Sequence, residues 1–528
     1  MYKMFGDELI GAFREFKTIW DPDWKMNPGK IVEPYRTDEN LRLGADYSPW
    51  QPKTHFQFPD DNGDFANATL RCVGVGKCRR KEGKNADDDV MCPSFMVTHE
   101  ERHTTRGRAH HLWEMLQGEV IQNGWRDENV KSSLDLCLSC KGCKGNCPVN
   151  VDIATYKAEF LSHYYEGRVR PRHAYAFGLI DQWSRIASLW PGLVNLVTQT
   201  PGLSHLAKLA AGMPFERRIP EFAPQTFQSW FRAQKGAKSK TASDVILWPD
   251  TFNNYFFPET AQAATQVLED AGFRVRVPLQ HVCCGRPLYD YGMLDLAKRY
   301  LRNVMQQLRP QIEAGTPIVV LEPSCASVFR DELHNLFPTD PIAQKLRRQT
   351  LLLSEFLEQH APEYRLPHLH RKALVQGHCH HKAVLKFDSE SAVLKRIGLD
   401  ADVLSTGCCG MAGSFGFEND KYGVSIAVGE HGLLPRVRSA SPDTLIIADG
   451  FSCREQIAQG TDRRALHLAE VIQSARTADQ RDSRDGSPEE AVYRKRDSDR
   501  RRARQRAAAI LLGIALGGLL LRKLFRAA

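Results

Sequence analysis

The chain has 528 residues and lacks an export signal: Asp7, Glu8 and Glu15 break its first twenty residues, and no apolar stretch of signal-peptide length occurs there. That absence points to the cytoplasm. Cysteine pairs stay reduced there, so disulfides are not the expected use of the fourteen cysteines. A net excess of one charge sign is lacking over most of the chain. Residues 491–528 hold eleven Lys or Arg against two Asp within a whole-chain charge of +8, so everything before them is close to neutral. The basic character therefore belongs to the tail, and nucleic acid is not the body's expected partner. Long hydrophobic runs are missing too. The uncharged stretch 507–521 has fifteen residues, short of the roughly 20 that span a bilayer.

What is present suggests two to four domains, each able to bury a core. Residues 1–35 read as a helix followed by a turn-rich segment, and 36–70, polar and rich in Pro, Asp and Asn, read as a linker. Cysteine motifs interleaved with short helical patterns fill 71–170, and a helical connector with Trp183 and Trp190 fills 171–240. Apolar β-type runs then alternate with helices, which predicts a parallel α/β architecture. This half repeats itself, as unit 241–360 and unit 361–475. The first reads strand (Val245–Trp248), helix, strand (Phe273–Val277), Cys283-Cys284-Gly285, helix, strand (Ile318–Leu321), Cys325. The second reads strand (Ala373–Gln376), Cys379, helix, strand (Asp402–Leu404), Cys408-Cys409-Gly410, helix, strand (Leu445–Ala448), Cys453. Internal duplication is the simplest account. It sets every cysteine at the carboxyl end of a strand, where open α/β sheets place their sites. The expected fold is thus an α-helical two-cluster ferredoxin domain followed by a duplicated α/β Cys-Cys-Gly domain with parallel sheets.

Cys137-x2-Cys140-x2-Cys143-x3-Cys147-Pro148 has the spacing of a bacterial ferredoxin run, in which three thiolates on one tight loop bind a cubane face. The fourth cysteine of such a run ligates the other cluster of a pair, so a partner motif is expected. It lies upstream as Cys72-x5-Cys78-x13-Cys92-Pro93. By the crossover rule Cys137, Cys140, Cys143 and Cys92 hold one [4Fe–4S] cluster, and Cys72, Cys78 and Cys147 hold the second. Val75 stands where the upstream motif needs its middle cysteine. Three protein thiolates suit a [3Fe–4S] cluster, or a [4Fe–4S] cluster with a foreign ligand. The alternative for the downstream run is a zinc site.

In the Cys-Cys-Gly repeats, neighbouring thiolates can bridge irons, and glycine permits a close approach or positive φ. Repeat two offers Cys379, Cys408, Cys409 and Cys453, enough for a further cluster. Repeat one offers Cys283, Cys284 and Cys325, with Asp250-Thr251 where a counterpart of Cys379 belongs. Packing without any cluster is the alternative for both. Within His378-Cys379-His380-His381 a zinc site competes with Cys379 as a single ligand. Successive residues at a strand end diverge, so Cys379 is preferred, with the histidines as polar support or substrate contacts. Thr104-Thr105-Arg106-Gly107-Arg108 faces cluster charge, a flavin domain or solvent, and the sequence does not choose among them.

These features together resemble a known family. They are Asp21-Pro22-Asp23, Met26-Asn27-Pro28-Gly29-Lys30, the two Cys-Pro motifs, Met91-Cys92-Pro93-Ser94, Thr105-Arg106-Gly107-Arg108-Ala109 and both Cys-Cys-Gly motifs. The chain resembles the carboxyl-terminal part of fused FAD-linked oxidase/iron–sulfur proteins of the D-lactate and D-2-hydroxyglutarate dehydrogenase type. Its second half is also similar to the iron–sulfur subunits of glycolate oxidase and anaerobic glycerol-3-phosphate dehydrogenase, and to the Cys-Cys-Gly subunit of heterodisulfide reductase. The resemblance implies an oxidoreductase in which FAD takes two electrons from a 2-hydroxy acid and passes them singly to the clusters. It makes residues 1–35 the end of a flavin domain whose remainder lies on a partner subunit or in a longer reading frame, so no catalytic residue is named. Val328 and Gln456 replace the second cysteine of the Cys-x-x-Cys of heterodisulfide reductase.

Residues 476–506 are charged and poor in apolar side chains, which predicts a disordered linker. The stretch 507–521 is then read as a short membrane anchor at the inner face of the cytoplasmic membrane, or as a soluble amphiphilic tail. The expected function is the iron–sulfur electron-transfer portion of an FAD-dependent D-2-hydroxy-acid dehydrogenase (lactate, 2-hydroxyglutarate or glycolate type), passing electrons to a quinone or cytochrome. A disulfide or quinone reductase with its active cluster at the Cys-Cys-Gly motif, and a membrane-anchored redox sensor, are the alternatives.

Overall fold

The computed structural model describes residues 1–39, 43–44, 47–79, 91–234, 242–478 and 488–527, with side chains 477–478, 488, 491 and 514–527 excepted. Two compact units result, Met1–Trp50 and Gln51–Ala528. In the first, the helix Tyr2–Trp20 ends at Asp21, whose carboxylate accepts the Lys25 and Met26 amides at 2.9 Å and the Lys17 ammonium at 2.7 Å. That single side chain folds the Asp21–Lys30 turn back onto the helix end.

In the second unit, the run expected to be a linker over 36–70 is ordered from Gln51 onward. Phe56, Phe58 and Phe65 are buried, and the Glu159 carboxylate accepts the His55 and Phe56 amides at 2.8 and 2.9 Å. The aromatics supply enough apolar surface to fix a chain whose Pro and Asp content suggests a loose one. Short helices follow, among them Pro93–Thr98, Thr105–Gln117, Gly142–Asn146 and Ile153–Tyr164. The helices of 172–233 continue into the α/β half.

Two parallel sheets carry that half. The first contains β1 (Asp244–Leu247), β2 (Arg274–Arg276), β3 (Ile318–Val320) and β4 (Thr350–Leu352) in the order β2-β1-β3-β4. The second contains β5 (Lys372–Val375), β6 (Asp400–Val403) and β7 (Leu445–Ile447) in the order β6-β5-β7. Ile246 is opposite Ile318, and Leu374 is opposite both Asp402 and Ile446. Strands β1 to β3 and β5 to β7 lie within one or two residues of the runs read from hydrophobicity. Strand β4 is missed by that reading, because Thr350-Leu351-Leu352 merges with the apolar start of the helix Leu353–His360.

The expected disorder of 476–506 is corrected over 488–506, and residues 479–487 lie outside the described residues. A helix runs Pro488–Ala527 and packs on the helix Pro191–Gln199. Two of its arginines, Arg496 and Arg500, are buried in the core. Arg496, 2% exposed, meets Glu470 and stands 3.2 Å from the Glu259 carboxylate, and Arg500 donates to the Phe256 carbonyl. Tyr493 donates to the Ala465 carbonyl at 2.9 Å. No helix among the described residues is long and apolar enough to cross a membrane. The side chains of 514–521, the greater part of the expected anchor, lie outside them.

Docking of this helix predicts that Arg496→Met, which strands the buried Glu470 carboxylate, lowers stability by about 3 kcal/mol. Denaturant unfolding measures this, and an unchanged midpoint would show a tail detached in solution.

Candidate iron–sulfur centre

The fourteen cysteines, all among the described residues, form no disulfide. Six of the ferredoxin-type set, Cys72, Cys78, Cys92, Cys137, Cys143 and Cys147, share one apolar cluster; Cys140 instead packs with Cys379, Cys408, Cys409 and Cys453. Local geometry explains how a short loop turns thiols inward. Ser139 and Lys141, on either side of Cys140, adopt positive φ of 52° and 60°, and Cys92 does so at 52°. Such backbone costs on the order of 1–3 kcal/mol per non-glycine residue and persists only where the surroundings impose it.

Cys92 begins the helix Pro93–Thr98 and takes two hydrogen bonds at 2.9 Å, from the Thr105 amide and with the Thr105 hydroxyl. Within the Thr-Arg-Gly-Arg segment this contact is made by Thr105. It starts the helix Thr105–Gln117, whose first amide points at a cysteine sulfur, while the buried Arg108 binds the Ser133 carbonyl and the Ser94 hydroxyl at 2.8 Å each. Cys78 and Cys92 are in hydrogen-bond contact, which brings Cys78 down to about 6 while Cys92 is pushed up. Val75 is exposed and offers no ligand, as its side chain dictates.

Repeat two brings its four thiols together. Cys379 touches Cys408, Cys408 touches Cys409, and Cys409 touches Cys453. The hydrogen bond from Cys408 holds Cys379 down at about 7, and those from Cys408 and Cys453 lower Cys409. Repeat one has three in contact: Cys283 bonds to Cys284, and Cys284 is 2.9 Å from Cys325. The Thr251 hydroxyl, 3.7 Å from the Cys283 sulfur, fills the fourth corner. Both glycines after the paired cysteines take positive φ, Gly285 at 77° and Gly410 at 89°. A Cβ on Gly410 would stand 2.2 Å from the Ser425 carbonyl oxygen.

The loop carrying Cys140 is clasped by both repeats. The Ser139 carbonyl accepts from Arg286 of repeat one at 3.3 Å and lies 3.0 Å from His380 Nε2 of repeat two. Lys141, 1% exposed, donates to Asp152 and Asp331 at 2.9 Å and to Thr155 at 2.8 Å, with Glu332 at 3.4 Å. Asp331 and Glu332 lie on a π-helical turn, Val328–Glu332, in repeat one. A second π-helical turn, His381–Leu385, presses on the loop from repeat two: a Cβ on Gly145 would meet the Ala383 carbonyl oxygen at 2.4 Å. Lys157 donates to the Cys137 carbonyl at 2.7 Å. Burial pushes the Cys140 thiol up, and Cys379 is the strongest charged neighbour adding to that. Neither Lys141 nor the Cys140–Cys379 approach is legible in the sequence, since the motif treats position 141 as arbitrary.

Beside Cys379 lies an apolar cavity of about 210 Å³, walled by Phe177, Phe222, Phe252, Phe256, Phe417 and Phe451. Its polar end holds Glu322, Arg286, His378 and His380, with His378 Nε2 4.0 Å from Glu322. Phe252 and Phe451 stack with ring centres 4.2 Å apart.

The clasp predicts two outcomes. Lys141→Met leaves buried carboxylates unpaired and should cost about 3–5 kcal/mol, read as a lowered unfolding midpoint. Gly145→Ala should cost less stability but separate the loop from repeat two, read as faster hydrogen exchange of the 139–145 amides.

Comparison with known proteins accords with this geometry. Residues 68–151 match the 4Fe-4S dicluster domain family and residues 251–330 match the Cysteine-rich domain family. D-2-hydroxyglutarate dehydrogenase of Pseudomonas putida is 27% identical over 88% of this chain and 49% of its own length. The chain thus spans about half the length of the D-2-hydroxyglutarate dehydrogenases it matches. One subunit of the anaerobic glycerol-3-phosphate dehydrogenase of Escherichia coli is 25% identical over 56% of this chain and 75% of that protein. Lactate utilization protein A of Bacillus velezensis is 30% identical over 44% of this chain and 99% of that protein. Grouped cysteine thiols, a matched 4Fe-4S dicluster domain, a matched cysteine-rich domain and these relatives place the chain in the iron–sulfur oxidoreductase family that includes lactate utilization protein A.

Proposed function

We propose that the chain is the iron–sulfur electron-transfer portion of an FAD-dependent D-2-hydroxy-acid dehydrogenase, acting with a flavin domain or subunit and delivering electrons to a quinone. The observation that carries this reading is the packing of Cys140 in one buried cluster with the four thiols of repeat two, beside the Ser139–His380 contact, which joins the ferredoxin-type domain to an apolar cavity. The names of the relatives support a hydroxy-acid or alcohol donor. Cys137, Cys140, Cys143 and Cys92 are assigned to a [4Fe–4S] cluster, and Cys72, Cys78 and Cys147 to a second, three-thiolate site. Cys379, Cys408, Cys409 and Cys453 are assigned to a third. Soft, clustered thiols suit iron–sulfur in each case. When bound, the clusters supply one-electron carriage between a two-electron donor and the acceptor.

The chain's own residues set the conditions for that carriage. Ser139 and Gly145 fix the Cys140 loop against repeat two, Lys141 fixes it against repeat one, and Lys157 secures its start. The phenylalanine-lined cavity excludes water and admits a flat apolar ring, while His378, Glu322 and Arg286 offer the polar contacts and protons that quinone reduction requires. That cavity favours a quinone over a cytochrome, which needs an exposed docking face rather than a buried one. The shared strand orders β2-β1-β3 and β6-β5-β7, each with cysteines beyond the carboxyl ends, support descent of the two repeats from one duplicated unit.

Protein prepared without oxygen should contain acid-labile sulfide and show a reduced [4Fe–4S] electron paramagnetic resonance signal that Cys140→Ser abolishes. Cys409→Ser should remove part of the iron and leave that signal. A colourless protein with zinc in these sites would overturn the reading. Ser452→Phe, which adds a ring to the cavity, should raise KM for a soluble naphthoquinone about tenfold without altering the cluster signals. An unchanged KM would remove the cavity as the acceptor site.

A further inference from the structure

Repeat two buries a second group of ligand-type side chains that contains no cysteine. His381, Glu390 and Asp449 are 1%, 2% and 9% exposed, and one donor atom from each lies within 4.8 Å of the others. They come from three elements: His381 opens the π-helical turn after β5, Glu390 lies in the first turn of the helix Asp388–Arg396, and Asp449 follows β7. All three therefore meet beyond the carboxyl end of the second sheet.

The group is electrostatically incomplete. Neither ring nitrogen of His381 has a hydrogen-bond partner among the described residues, and neither does Glu390 Oε2. Asp449 accepts the Leu468 amide at 2.9 Å through Oδ1. His467 Nε2 is 3.7 Å from that oxygen but stands 3.1 Å from the Leu321 carbonyl. The nearby Arg330 is engaged by Glu355 at 2.6 and 2.8 Å. No lysine or arginine among the described residues pairs with Glu390 or Asp449. Two carboxyls this close and this buried need a proton or a cation between them. A shared proton would satisfy the carboxyls alone and leave the imidazole bare, at about 1–3 kcal/mol per unpaired atom.

We propose that His381, Glu390 and Asp449 bind one first-row divalent cation, with zinc(II) as the probe. One imidazole nitrogen with two carboxylates is a donor set that zinc or manganese accepts, whereas calcium and magnesium favour oxygen alone. The ion satisfies all three side chains at once. It also ties the segment after Cys379, two residues before His381, to the segment before Cys453, four residues beyond Asp449. The cation is thus a structural pin under two of the four thiols of repeat two, and its binding does not depend on which electron acceptor the protein uses.

The test uses the full chain, prepared without oxygen with its iron and sulfide in place and dialysed against zinc. One zinc per chain is expected, with an X-ray absorption first shell of nitrogen and oxygen at about 2.0–2.1 Å and no sulfur at about 2.3 Å. Glu390→Gln keeps the shape and a hydrogen bond to Asp449 but removes an anionic ligand. It should weaken zinc binding by about 100-fold or more while iron and sulfide stay constant. No bound zinc in the parent protein would overturn the proposal, and so would a sulfur first shell, which marks occupation of a vacated cysteine site. Equal zinc affinity in parent and variant would also overturn it. Because the absorption spectrum of the parent protein decides the ligand set, a variant that fails to fold does not block the test.

Discussion

The ammonium of Lys141 is the point on which the site depends. It sits in the middle of the cysteine loop, is withdrawn from water, and is neutralised by Asp152 of its own domain together with Asp331 and Glu332 of repeat one. Burial alone would raise the Asp331 carboxyl, yet Lys141 and Lys144 hold it well below the ordinary range. A buried charge of this kind contributes little net stability compared with apolar packing, but losing one partner is costly. Its effect is specificity: the loop has one seat, and in that seat Cys140 faces repeat two.

From that seat the remaining features follow. Arg286 and His380 meet on one carbonyl, Ser139 O, so each repeat contributes a hand to the same turn. Gly145 allows a helix to press against the π-helical turn after Cys379, which any side chain would prevent. The thiol groups lie in low-dielectric surroundings where neighbouring sulfurs share protons, and thiols displaced from water in this way favour a soft metal as their partner. The wall of phenylalanines continues the same dry environment outward from Cys379.

Much of this is legible in the sequence, for identifiable reasons. Cysteine spacing is a direct constraint of cluster geometry, so the ferredoxin runs and the Cys-Cys-Gly pairs can be read without a structure. Strands β1, β3, β5 and β7 are short, mostly apolar runs, β2 and β6 alternate polar with apolar residues, and β4 is lost only because it adjoins a leucine-rich helix start. The two misread segments share a cause. At 51–70 composition hides three phenylalanines and the distant carboxylate of Glu159 that organises their backbone. At 488–506 a run of arginines looks like solvated charge, although Glu470 waits in the core for Arg496. Lys141, His381, Glu390 and Asp449 are illegible because their partners lie far away in sequence, and only the folded chain brings them together.

The account stands on adjacency between the ferredoxin-type thiols and the four thiols of repeat two. Pulsed electron paramagnetic resonance on the fully reduced protein measures that adjacency directly. Two neighbouring paramagnetic clusters should give magnetically coupled spectra, with the relaxation of one accelerated by the other. Signals that are uncoupled at every stage of reduction, or a repeat two that never becomes paramagnetic and holds no iron, would contradict the relay.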